Sequence, residues 1–169
     1  MACGTTSNPT SSPSTSSSSS PSPTQVACVT SGPASSTWPS ADKLPATAAI
    51  TSLSVTGDTV TLTFAQGTPA FEVATQPNAQ FTADPSGQPV TLTGTAGVRI
   101  TLRGFRGDVQ NYTGSKSTMS QGQVLQQVYE LGDSEGVITW GAGVSAPACT
   151  AVTASGSTLT FKFIRQPAA

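Results

Sequence analysis

The sequence predicts an all-β fold, an antiparallel β-sandwich preceded by a disordered Ser/Thr/Pro-rich tether. Three observations predict it. Apolar and polar residues alternate with period two through most of the chain. Turn chemistry separates these short runs at regular intervals. Composition also shifts abruptly near residue 24, from almost pure Ser, Thr and Pro to a mixture able to form a core.

The tether comes first. Of the 20 residues from Thr5 to Thr24, 19 are Ser, Thr or Pro, the exception being Asn8. With no apolar side chain and no charge, such a segment cannot offset the entropy of ordering. As a flexible coil it would span roughly 25 Å root-mean-square, and up to about 65 Å if extended. Residues 1–24 are therefore read as anchor and linker, and residues 25–169 as one domain. At 145 residues that domain is long enough to bury about two-thirds of its unfolded surface. No run approaches 18 apolar residues, so no transmembrane helix is expected.

Within the domain, Thr59-Val60-Thr61-Leu62-Thr63-Phe64 sets Val60, Leu62 and Phe64 on one face and threonines on the other. Val98 to Arg103 repeats the pattern with arginines outside, and Leu159 to Phe163 does so again. Further strands are predicted at 52–55, 70–75, 90–92, 124–131, 137–143 and 149–153. Turns fall at Thr56-Gly57-Asp58, Asp84-Pro85-Ser86-Gly87 and Ser155-Gly156-Ser157. Two readings compete over Gln121–Leu131. Val124, Leu125, Val128 and Leu131 fit helical spacing, while the strand reading is preferred. The segment from Thr56 to Phe64 loosely echoes Ala154 to Phe161, which two hairpins of the same sheet architecture explain as well as a true repeat would.

Composition excludes several functions. There is no histidine, which removes Ser-His-Asp and Cys-His catalysis and imidazole metal sites. Lys+Arg total 7 against Asp+Glu 8, so nothing favours nucleic acid or a charged membrane surface. No cofactor and no metal are expected. Threonine supplies 22 of the 145 domain residues and takes outward strand positions, which explains the sparse charge.

Three cysteines carry two expectations. Ala2-Cys3-Gly4 resembles the cleavage end of a bacterial lipobox, where the cysteine becomes the lipidated N-terminus. The expectation is a mature chain whose signal peptide is gone, lipid-anchored at Cys3 on the extracytoplasmic face of the membrane. Cys28 and Cys149 then remain, either as a disulfide, which is preferred outside the cytoplasm, or as two separate thiols. The bridge would close a loop of about 120 residues, worth up to roughly 5 kcal/mol on the chain-entropy model.

Candidate chemistry is thin. Asp133 and Glu135 lie two apart before Trp140, a combination that invites comparison with glycoside hydrolysis. Acid and base on opposite sides of a sugar usually come from separate strands, so a tight connection is the better reading. Trp140 is read either as a sugar-stacking platform or as a core side chain. Arg99 and Arg103 share one strand face about 13 Å apart. With Arg106 and Tyr112 they could meet a carboxylate-bearing glycan, or they form a solvated face with ion pairs to Glu130, Asp133 or Glu135. Ser40-Ala41-Asp42-Lys43 and Gly114-Ser115-Lys116-Ser117 imitate a penicillin-binding serine and a phosphate loop, but lack the companion residues.

Several segments together resemble the AMIN-like domain of actinobacterial lipoproteins, over about residues 60–163. Gly67-Thr68-Pro69-Ala70-Phe71-Glu72-Val73 resembles its Gly-x-Pro-aromatic-x-Val segment. Ser86-Gly87-Gln88-Pro89-Val90-Thr91-Leu92-Thr93-Gly94 is similar to its Ser-Gly-x-Pro-Val-x-Leu-x-Gly turn and strand. Glu135-Gly136-Val137-Ile138-Thr139-Trp140-Gly141-Ala142-Gly143 resembles its Glu-Gly-Val-x-x-Trp-Gly-x-Gly signature. The first and last strands depart from the family's usual runs, marking a divergent member. The resemblance implies a β-sandwich related to AMIN domains, which are non-catalytic and target cell-wall amidases to peptidoglycan. The expected function is a non-catalytic envelope lipoprotein that binds peptidoglycan or another glycan through Trp140, Glu135, Arg99, Arg103 and Tyr112. The alternatives are an envelope protein-interaction or structural module and, remotely, a carboxylate-dependent glycan hydrolase.

Overall fold

The computed structural model describes Met1, the backbone of Thr24–Val26 and Thr37–Trp38, and residues 49–104 and 112–166. Cys3, Cys28, Arg106, the Ser40–Lys43 segment and nearly all of the Ser/Thr/Pro run lie outside the described residues.

Period-two patterning builds two packed antiparallel sheets. The strands are β1 (Thr24–Val26), β2 (Thr37–Trp38), β3 (Ile50–Thr56), β4 (Thr59–Phe64), β5 (Ala70–Gln76), β6 (Gln80–Thr82) and β7 (Pro89–Thr91). They continue with β8 (Ala96–Arg103), β9 (Ser117–Met119), β10 (Leu125–Ser134), β11 (Val137–Val144), β12 (Ala148–Ser155) and β13 (Thr158–Arg165). One sheet, called A below, runs β1-β12-β13-β4-β3, and sheet B runs β2-β5-β8-β11-β10-β9. β6 and β7 form a separate small hairpin. The Gln121–Leu131 segment enters strand β10, not a helix.

The echo between the two threonine-rich hairpins has a structural cause. β4 and β13 are neighbours in sheet A, with Val60 opposite Phe161 and Leu62 opposite Leu159. Their inward residues meet Phe71, Val73, Val98, Ile100 and Leu102 of sheet B in one core. Phe71 and Phe161 bridge the sheets edge to face, with centroids 5.8 Å apart and planes at 87°, a favoured aromatic geometry.

Sheet B is buried on both faces at its centre. In β11 every residue from Ile138 to Val144 is buried. Ile138, Trp140, Ala142 and Val144 enter the main core. The opposite face carries Gly141 and Gly143, with Gly97 of β8 directly opposite Gly143. On this face rests the segment around the β6–β7 hairpin, where Ala79, Phe81 and Leu92 pack with Leu131 as a second core. The glycines permit the approach. A Cβ on Gly143 would overlap the Thr93 carbonyl oxygen, and one on Gly97 would lie 2.6 Å from the Asn78 carbonyl oxygen. Hydrogen bonds fix the covering segment. The Asp84 N–H donates to the Leu131 carbonyl and the Thr95 N–H to the Val144 carbonyl, both at 2.8 Å. The Thr93 N–H donates to Gln127 Oε1 at 2.9 Å.

At one end, the sheets are joined by a residue read from the sequence only as part of a turn. Asp58, in the β3–β4 turn, accepts on Oδ1 the N–H groups of Val124 (2.7 Å) and Leu125 (2.9 Å). Ser120 Oγ donates to the Gly57 carbonyl at 2.6 Å and accepts the Gly122 N–H. The carboxylate thus terminates the chain entering β10 and ties sheet A to sheet B.

Three substitutions test these contacts by urea denaturation. Gly143→Ala must push backbone apart and is expected to cost about 2–3 kcal/mol. Gly156→Ala, where φ is 58° and no atom approaches a Cβ, should cost only about 1 kcal/mol of backbone strain. Asp58→Ala removes two charge-assisted bonds and is expected to cost about 3 kcal/mol. Equal costs for the two glycine variants would contradict the close approach.

Candidate functional site

The five residues nominated from sequence do not converge. Sheet B divides them between its two faces. Trp140 points into the main core and is 2% exposed, so it offers no stacking platform to a sugar. The reason is strand parity. Trp140 alternates with Gly141 and Gly143, and the face that must stay bare for the covering segment is the glycine face.

Tyr112 lies beside Trp140, with ring centroids 5.6 Å apart at an interplanar angle of 64°. Glu130 shares this inner face, because it is the cross-strand partner of Trp140 and paired residues project to the same side. Its Oε1 receives Lys116 Nζ at 3.1 Å, while the two side chains are 4% and 61% exposed. The Glu130 N–H also donates to the Lys116 carbonyl at 2.8 Å. Glu130 is therefore not an ion-pair partner for the arginines, as the sequence reading allowed. It is held by Lys116 on the opposite face. Burial, and secondly the charge of Glu130, raise the Tyr112 phenol above its usual value of 10.0. Both causes oppose a phenolate, the first by desolvation and the second by like charge.

Arg99 and Arg103 project from the outer face of β8. Arg99 stands opposite Gly141, with its guanidinium carbon 5.9 Å from the centroid of the Phe81 ring, a cation–π contact. Arg103 is exposed at the strand's end and stands opposite Val137. The adjoining Gly104 N–H donates to the Gly136 carbonyl at 3.2 Å. The end of β8 is thus tied to the β10–β11 hairpin.

That hairpin carries the paired carboxylates. Ser134 pairs with Val137, leaving Glu135 and Gly136 as a two-residue turn, with φ of 52° and 76°. Positive φ at both positions is the requirement of a type I′ turn, which suits the strand twist. Asp133 pairs with Ile138 on the strand itself, and Glu135 is exposed at the tip. The Glu-Gly pair of the signature is therefore a turn element. Its two carboxylates belong to one hairpin end and do not flank a cleft as glycosidase acid and base do. Among the described residues, no three His, Cys, Asp or Glu side chains cluster to hold a metal.

Cys149 is buried near the start of β12. β1 pairs with β12, and its last residue Val26 stands opposite Val152.

Sequence reasoning missed Glu130, Lys116 and Asp58 as organising residues. Asp58 had one available signal, a carboxylate following Gly57 in a tight turn. The inward position of Glu130 had none, since a charged residue in an alternating run is normally assigned to water.

Compared with protein-family models, residues 52–158 match the AMIN-like domain. The match begins within β3 and ends at the first residue of β13, so it takes in strands of both sheets and the covering hairpin. No curated protein and no solved structure matches the chain.

The Tyr112 environment predicts a pH effect. Its folded value lies above the unfolded one, so its contribution to stability is complete below pH 10.0 and is lost as pH rises through the folded value. Denaturation from pH 8 upward should show a steeper alkaline loss in wild type than in Tyr112→Phe. Identical slopes would contradict the desolvated phenol.

Proposed function

The chain belongs to the AMIN-like domain family, and on that premise we propose that it is a non-catalytic binding module tethered outside the cytoplasmic membrane. AMIN-like domains are extracytoplasmic modules of the cell envelope and generally bind rather than catalyse. On this reading Cys3 carries the lipid. Residues 5–24 then let the sandwich range over tens of ångströms from the bilayer. The Cys28–Cys149 disulfide holds the start of the domain to sheet A. The position of β1 supports that bridge: it ends two residues before Cys28 and faces β12 three residues from Cys149. Non-reducing mass spectrometry of the exported protein should find the two cysteines linked; two alkylatable thiols would remove the bridge.

The ligand proposed is peptidoglycan or another acidic envelope glycan. The observation that carries this reading is the outward row of β8, where Arg99 and exposed Arg103 lead to the Glu135 tip. Guanidinium groups pair with carboxylates in a planar, two-point geometry, and peptide stems of a cell wall offer such carboxylates. Glu135 would complement hydroxyl or amine groups. Trp140 and Tyr112 serve this surface only from the other face, by holding β11 in place.

A second reading has its own observation. β3 is the outermost strand of sheet A. Its seven residues, Ile-Thr-Ser-Leu-Ser-Val-Thr, include no charge and no proline, the usual devices that blunt an edge. An extended segment of an envelope protein could add to it as a further strand.

Sedimentation with purified cell wall separates the two. Wild type should pellet with the wall, and the Arg99→Ala/Arg103→Ala double variant should bind at least about tenfold more weakly. Trp140→Phe should bind normally wherever it remains folded. Undiminished binding by the double variant removes the β8 site. Absence of wall binding, together with a partner lost in Ser54→Pro, selects the second reading.

A further inference from the structure

The inner face of sheet B carries two buried polar atoms that the proposed envelope surface does not use. Trp140 Nε1 and Glu130 Oε2 are both buried, and neither has a hydrogen-bond partner among the described residues. The indole N–H can only donate, and the salt-bridged carboxylate can only accept. They belong to directly paired residues of β10 and β11, whose side chains share one face with Cβ atoms about 5 Å apart. An unsatisfied buried polar atom costs about 1–3 kcal/mol, and native structures rarely leave such atoms unsatisfied.

The surroundings show that these atoms lie near the rim of the sandwich. Lys116 occupies the other carboxylate oxygen and is itself 61% exposed. Tyr112, only partly buried, packs its ring against Trp140 and feels the charge of Glu130. Gly114 leaves room for that ring, since a Cβ there would overlap the Tyr112 hydroxyl. Two side chains that reach solvent thus roof a buried donor and a buried acceptor.

The chemistry of the missing partner follows by elimination. It must accept from the indole and donate to the carboxylate. An ammonium group cannot accept, and it would meet Lys116. A carboxylate or phosphate cannot donate, and it would meet Glu130. A hydroxyl does both. We propose that the Trp140–Glu130 pair is a hydroxyl-binding site, bridging indole N–H to carboxylate through one O–H group. Two sources share that chemistry, an enclosed water and a sugar hydroxyl entering beside Tyr112. Buried waters commonly satisfy groups of this kind. The site is independent of the arginine surface on the opposite face.

The test is nuclear magnetic resonance of the ¹⁵N-labelled full chain. Trp140→Phe identifies the Trp140 indole signal by its loss, and Trp38→Phe does so by leaving it alone. Without additive, a water-filled site gives a cross-peak between this N–H and a water proton. That cross-peak should vanish in Glu130→Met, which keeps the volume and removes the acceptor. Titration with an N-acetylglucosamine oligomer distinguishes the sources. An indole shift that saturates, and is absent in Glu130→Met, assigns the site to a sugar hydroxyl. An unshifted signal with a persistent water cross-peak assigns it to water. Neither a water cross-peak nor a sugar response in wild type would overturn the proposal, as would a cross-peak that survives Glu130→Met.

Discussion

The rest of the structure depends on one constraint, that strand β11 is packed on both faces. A strand covered on one side can carry any small polar residue outward. β11 instead has a folded segment against each face, so its outward positions beneath the β6–β7 segment, 141 and 143, have little room for a side chain. Gly141 and Gly143 meet that demand, and Gly97 of β8 and Gly132 of β10 extend it sideways, each so close to residues 78–94 that a Cβ would collide. The inward positions face the opposite demand and are filled by Ile138, Trp140, Ala142 and Val144. One eight-residue strand therefore sets the spacing of three layers.

This changes what the family signature means. In Glu-Gly-Val-x-x-Trp-Gly-x-Gly, the first pair makes the type I′ turn, the tryptophan fills the core, and the last two glycines seat the β6–β7 hairpin. The turn, tryptophan and glycine positions thus each have a folding role in this chain. The surfaces proposed for recognition are the arginine row on β8, the exposed hairpin tip and the edge strand β3. Glu130 is buried on the adjoining strand β10, paired with Lys116, and its second oxygen has no hydrogen-bond partner among the described residues. A buried carboxylate oxygen left without a partner carries a stability cost.

Much of the architecture was legible because period two is a strong signal. β4, β8 and β13 were visible as alternating runs, and their turns contain Gly, Asp and Ser in the expected places. The echo of the two hairpins left a true repeat open, and the pairing of β4 with β13 shows that they share one sheet. Short strands escaped. β6 and β9 have three residues each, too few for a period to register. The orientation of Trp140 escaped for a different reason. Its neighbours are glycine, alanine and threonine, so neither face of the run announces which side is wet. The sequence offers no cue that the hairpin folds back over the sheet, and without that layer a tryptophan flanked by glycines reads equally well as a surface platform. Asp58 escaped because its partners, the Val124 and Leu125 amides, are more than sixty residues away.

The central claim is that the covering segment and the main sandwich form one cooperative unit through the glycine face. Native-state hydrogen exchange tests it most directly. The amides of Asp84, Leu92 and Thr93, bonded to the Leu131 carbonyl, the Ala79 carbonyl and Gln127 Oε1, should open with the same free energy as the amides of β8 and β11. All should lose protection together as denaturant is added. If residues 78–94 exchange at a much lower free energy while β8 and β11 stay protected, the hairpin is an independent flap. The glycines of β11 would then need another explanation.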